Sequence, residues 1–265
     1  MENIIFKNLT EKDNEENKQK LECHAEPDDS LLLFGRASNP VIKEKFIDLM
    51  VEAINKKGEQ KKTRDEIKRD YEKRLQKIKK DTPISFNNAK ISRVDPDSKR
   101  EIIAMTPYLE GEEKGNKKAM AITEAHEKDH VLRPLNLYCE FFDDYFGPAI
   151  DTSVITCKDK YAKRAEESCQ DIKKYLEKDF DYRALAKEQI SRYLNRGFEI
   201  EARMSQLKNY FGFTGDEIFT KEHLDYAKEN YVKDTGFDNL MTHFFEAITP
   251  ETEEKFLELI NKSGI

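Results

Sequence analysis

The sequence predicts an α+β chain, predominantly helical, in which a small antiparallel hairpin precedes one histidine-bearing helix and a helical C-terminal half follows it. Three observations lead there. Between Thr82 and Thr106 the chain turns to short runs rich in β-branched residues, separated by turn formers. From Leu135 onward, apolar residues recur every three or four positions, the period of a helix. Between these regions lies Ala121–Pro134, AITEAHEKDHVLRP, a helical segment closed by its proline.

The composition shift at Thr82-Pro83 divides the chain into an N-terminal helical region, 1–82, and a core domain, 83–265. The N-terminal region is expected either to regulate the core or to pack on it. Residues 1–30 are polar and acidic, a frayed start. Leu31–Phe34 before Gly35 is a short apolar run, and Asn39-Pro40 opens a helix to about Lys57 with Phe46, Met50, Val51 and Ile54 as its stripe. Residues 61–80 are the most basic run. Ile67, Tyr71, Leu75 and Ile78 give them an apolar face, and the lysine-rich face reads as the solvated side of a packed or partner-seeking helix.

In the core domain, 84–86, 90–94 and 100–106 read as short strands, with Asp95-Pro96-Asp97-Ser98 turning the last two into a hairpin. After the histidine-bearing segment, helices are expected at 135–146, 159–178, 182–195, 197–211, 221–232, 237–247 and 250–262, with Gly147-Pro148, Gly212, Gly215 and Gly236 as punctuation. Thr249-Pro250 supplies a cap and first residue for the last of them.

Composition removes several classes of function. The 265 residues are 37% charged and 37% hydrophobic, and 16 Phe with 11 Tyr are too many aromatic rings for a disordered chain. A net charge of −7 argues against a general nucleic-acid binder. The four cysteines, Cys23, Cys139, Cys157 and Cys169, form no Cys-x-x-Cys pair and read as reduced thiols. No apolar run reaches membrane-spanning length. The expectation is a soluble, cytoplasmic protein with no membrane partner. There is no phosphate-binding glycine loop, nucleophile elbow or dinucleotide fingerprint.

What remains is His126-Glu127-Lys128-Asp129-His130. Histidines four apart on a helix share a face, so both rings reach one metal ion, while the glutamate projects about 100° round, beside a bound water rather than on the metal. The motif, with its preceding hairpin and following helices, resembles the zincin metallopeptidases over residues 84–211. Lys128 and Asp129 stand where that family usually has uncharged residues. The resemblance implies a catalytic zinc ion, an activated water with Glu127 as general base, and a peptide or protein substrate held along the strand at 102–106.

Such a zinc needs a third protein ligand. The metzincin pattern is absent, because Arg133 and Asn136 occupy the places of its glycine and third histidine. The gluzincin pattern, Glu-x-x-Ala on a later helix, is matched in register by Glu199-Ile-Glu-Ala202. Ile200, Met204, Leu207 and Phe211 form that helix's apolar stripe, with Glu199 and Glu201 on its two borders. Glu199 is the ligand the resemblance implies, and Glu201 is the alternative. Arg203 and Tyr210 lie on the Glu199 side. Tyr210 and His223 are the candidates for stabilising a developing oxyanion, with Tyr226 and His243 behind them; His223 and His243 are also further alternatives for the third ligand. Glu140, Asp143 and Asp144 are either acceptors for the ligands' second ring nitrogens or plain surface acids. The competing reading is a non-enzymatic helical interaction protein with a structural or degenerate metal site.

Overall fold

The structure, a computed structural model, describes residues 39–57, 62–80, 122, 126, 135–170, 176, 179–213, 215–236, 238 and 240–262. These residues form α1 (Pro40–Lys57), α2 (Arg64–Lys80), α3 (Leu135–Phe146), α4 (Asp159–Ser168), α5 (Tyr182–Leu194), α6 (Gly197–Tyr210), α7 (Lys221–Thr235), α8 (Met241–Glu246) and α9 (Pro250–Lys262). Two 3-10 turns, Gly147–Ala149 and Thr152–Val154, link α3 to α4. Ile122 and His126 are also helical.

The α+β expectation is corrected. The described residues are helical with no strand and no sheet, so the small antiparallel sheet is not part of the fold they form. The runs at 84–86, 90–94 and 100–106 lie outside the described residues. A run of three to seven residues with β-branched members reports fit to a half-buried pleated surface, not a backbone commitment, and periodicity cannot separate it from other buried segments. The segment expected to pair with substrate, 102–106, lies outside the described residues too.

The helix boundaries have local causes. Asn39 Oδ1 accepts from the backbone N–H of Val41 at 2.9 Å, so α1 starts at Pro40. Thr63 and Glu66 form a reciprocal capping box at α2, through Thr63 N to Glu66 Oε2 (2.8 Å) and Glu66 N to Thr63 Oγ1 (3.3 Å). α4 ends at Ser168; of residues 169–178, expected to continue it, only Cys169, Gln170 and Leu176 are described, and none is α-helical. Its last turn tightens where Cys169 N–H reaches both Ala165 O and Glu166 O, while Ser168 Oγ bonds back to Arg164 O at 2.8 Å. α8 begins at Met241 and not near 237 because Leu240 takes a left-handed φ of 63°.

The N-terminal pair packs on the rest. Phe46 of α1 meets Tyr71 of α2 with ring centroids 4.9 Å apart, and Lys43–Glu72 and Lys68–Glu44 flank that seam. α1 in turn lies against α3, and Lys45 pairs with Asp216 in the loop before α7. Ile67, Tyr71 and Leu75 are buried as the stripe requires. No described helix is long and apolar enough to cross a membrane.

At the centre is α6, which α3, α5, α9 and the first 3-10 turn all contact. Its approach to α3 is unusually close. A Cβ built on Gly197 would stand 1.9 Å from the carbonyl oxygen of Phe142, so only glycine lets the two backbones meet there. Gly197→Ala is therefore expected to destabilise the fold by about 3 kcal/mol, the high end of overpacking costs, because the obstacle is backbone and cannot rotate away. Gly147→Ala, whose Cβ would meet nothing within 4 Å, should change stability by less than about 0.5 kcal/mol. Urea unfolding of both variants checks the contrast.

Candidate metal centre

α6 reads in sequence as a helix with one apolar stripe. In the structure every residue of it except Phe198 is buried. Glu199, Glu201, Arg203 and Lys208 are thus ionisable side chains inside the molecule, at 5%, 0%, 1% and 2% exposure. Desolvating each costs several kcal/mol unless partners compensate. An ordinary core helix carries apolar residues at such positions, so the polar content of α6 marks it as a candidate functional element.

Glu199 sits in the first turn of this helix. Its Oε2 stands 3.5 Å from Nε2 of His126, and both side chains are buried. Ile122, four residues before His126, is helical and 1% exposed. The face that carries His126 is therefore the face turned into the protein. The structure brings together the first histidine of the motif and the first glutamate of Glu-x-x-Ala, two segments distant in sequence.

The separation fits a shared ion. Two ligand atoms, each about 2.0–2.2 Å from one tetrahedral zinc, stand roughly 3.3–3.6 Å from each other. An N–H···O hydrogen bond spans about 2.7–3.2 Å, shorter than the observed 3.5 Å. An imidazole nitrogen and a carboxylate oxygen are also a donor set that zinc accepts. Among the described residues no group of three or more His, Cys, Asp or Glu side chains is gathered to hold an ion. His130 and Glu127 lie outside those residues. Glu201, the alternative ligand, is two residues on from Glu199 and about 200° round the helix, fully buried in its own right.

The candidates for oxyanion stabilisation lie elsewhere. Tyr210 is eleven residues past Glu199, about 16 Å along the helix axis. Its hydroxyl donates to Asp234 Oδ2 on α7 at 2.5 Å. Burial, then the bond to that carboxylate, pushes the phenol far above its ordinary range, so it keeps its proton as a structural donor. His223 completes the capping box of α7: its Nδ1 accepts the Thr220 N–H at 3.1 Å. Its ring lies among Phe211, Phe213 and Phe219, and burial holds its pKa below the ordinary imidazole value. His243 is fully buried, paired with Glu246 at 3.1 Å and packed against Tyr161.

Arg203, expected beside Glu199, has its guanidinium 5.8 Å from the ring centres of both Tyr193 and Phe244, with Nη1 3.3 Å from Met241 Sδ. Of the acids after the motif, Asp143 and Asp144 are both exposed. Asp143 accepts a hydrogen bond from α6.

Two outcomes follow from these placements. Tyr210→Phe should lower stability by about 1.5–3 kcal/mol, the range for a hydrogen bond to a charged group, and leave metal content at the wild-type level, as unfolding and metal analysis will show. For His223, a folded pKa below the unfolded one means the unfolded chain binds the extra proton first. Its contribution to stability is complete above the unfolded value of about 6.5 and is lost as pH falls through the folded value. Urea midpoints at pH 7.5 and 5.5 should diverge in the wild type and diverge less in His223→Gln, which keeps a capping acceptor but has no titrating ring.

No family model, no curated protein and no solved structure matches this chain.

Proposed function

We propose that the chain is a zinc-dependent metallopeptidase in which His126, His130 and Glu199 hold the ion and Glu127 is the general base. The observation that carries the reading is the 3.5 Å approach of His126 Nε2 to Glu199 Oε2. It joins the first histidine of the motif to the glutamate that the gluzincin register nominates as third ligand, at a spacing that fits a common tetrahedral ion. Zinc, when bound, acidifies a water and polarises a carbonyl.

The chain's own groups carry the rest. Glu127, adjacent to His126 in sequence, projects about 100° from it on a helix and so stays out of the ligand set. It takes the proton of the attacking water and passes it to the leaving amine of a peptide or protein substrate. Glu199 offsets positive charge with one carboxylate. Tyr210 and His223 take no step in this scheme, since Asp234 and the α7 cap already engage them.

One observation favours a second reading. His126 and Glu199 are 2% and 5% exposed, as closed as a structural zinc site, in which the ion would serve a helical interaction protein and not a reaction. The sequence pair Lys128-Asp129 agrees with that alternative.

Elemental analysis of the purified chain and hydrolysis of a peptide library separate the two. The expected result is one zinc per chain, lost in His126→Ala and Glu199→Gln and retained in Glu127→Gln. Hydrolysis in Glu127→Gln should fall by about a hundredfold or more, the scale of general-base catalysis. Stoichiometric zinc with no hydrolysis in the wild type would establish the structural reading, and full zinc retention in His126→Ala would falsify both.

A further inference from the structure

α6 starts without a cap of its own. Its N-cap residue, Arg196, makes no side-chain capping bond, so the orphan N–H groups of the first turn need acceptors from elsewhere. One comes from α3: Asp143 Oδ1 accepts the Gly197 N–H at 2.6 Å, across 54 residues of sequence. The same place is where Gly197 rests against the Phe142 carbonyl. Two neighbouring residues of α3 therefore fix the start of α6, Phe142 by contact and Asp143 by a charge-assisted hydrogen bond aimed down the helix axis.

What this fixes is Glu199. It lies two residues after Gly197 in the same turn, and its N–H is bonded to Arg196 O at 2.9 Å, so it moves with that turn as a rigid unit. α3 begins at Leu135, immediately after Pro134 closes the segment that carries His126. The helix that follows one half of the pair thus sets the height and rotation of the helix bearing the other half. A sequence-local cap at Arg196 would stabilise α6 equally well without tying it to α3.

We infer that Asp143 is a positioning residue of the metal centre: through the Gly197 N–H it holds Glu199 at the distance from His126 that one ion needs. The inference rests on the reading of His126 and Glu199 as ligands. It assigns Asp143 no contact with metal or substrate.

The test uses the full-length chain and two readouts that a purely structural cap would not move. These are zinc affinity by chelator competition, measured well below each variant's unfolding temperature, and the visible spectrum of the cobalt-substituted protein. Asp143→Ala should weaken zinc binding about tenfold or more, the scale seen when groups behind metal ligands are removed, and shift the cobalt bands. Asp143→Asn, which keeps an acceptor in place, should stay within about threefold of wild type, the tolerance expected of a surviving neutral hydrogen bond. The control is Asp181→Ala, which removes the cap from Ala184 N–H at the start of α5 and should leave affinity and spectrum unchanged. If Asp143→Ala does not fold, Asp143→Glu decides, since its longer side chain displaces the acceptor and should likewise weaken binding. Wild-type affinity and spectrum in Asp143→Ala, or in Asp143→Glu when that variant decides, overturn the inference. A wild-type chain that binds neither metal overturns the ligand reading beneath it, a different failure.

Discussion

The arrangement depends on one backbone contact, that of α6 on α3 at Gly197 and Phe142. Helices separated by side chains pack with axes about 8–10 Å apart and leave each helix one solvent-facing side. Where a missing Cβ lets main chain touch main chain, α6 sinks between its neighbours. α3, α5, α9 and a 3-10 turn then close over it. Burial of the apolar stripe follows from ordinary hydrophobic packing. At the N-terminal end of α6, Gly197 permits a depth at which Glu199 and Glu201 are buried as well.

Depth makes the polar residues of α6 consequential. Gln206 donates to the Tyr231 hydroxyl at 2.6 Å and Tyr210 to Asp234, so the C-terminal half is tied to α7 by two hydrogen bonds. Tyr231 is itself buried, and burial raises its pKa, keeping it a protonated phenol within this seam. Arg203 reaches the other way, between Tyr193 of α5 and Phe244 of α8. In a low-dielectric interior such bonds are stronger than at the surface, and a missing partner costs more. The helix is held in rotation as well as in position, because each polar side chain has a direction that an apolar one lacks.

Much of this was legible in the residues and some was not. α3 and α9 fall where periodicity and the prolines and glycines put them, since those signals are local. Periodicity also put Glu199 at the border of a buried stripe, and the structure buries it 3.5 Å from His126. The stop at Ser168 was not legible, because a hydroxyl bonding back to its own helix competes with an apolar repeat that continues past it. Nor was the total burial of α6: a hydrophobic stripe reveals one packed face and is silent about whether polar faces are covered too. The hydrogen bond from Gly197 to Asp143 left no local signal at all, since its partners lie 54 residues apart. The expected sheet rested on local propensity alone, which reports fit to a pleated surface and not a backbone commitment, and the described residues contain no strand.

A pair of ligands is only as precise as the elements that carry them, and helices hold side chains to tighter tolerance than loops do. His126 and Glu199 are both helical, and Glu199 belongs to a helix fixed at one end by α3 and at the other by α7. In the proposed zinc site, that preorganisation would change the energetics of holding an ion. A flexible glutamate must lose rotamer freedom as it binds, whereas a buried carboxylate in a clamped first turn has lost that freedom on folding. The cost of desolvating Glu199 has likewise been met by the folded core before any ion arrives. An ion that supplies positive charge between it and His126 returns part of that cost as affinity, which is why a buried, clamped carboxylate suits a tight site better than an exposed one would.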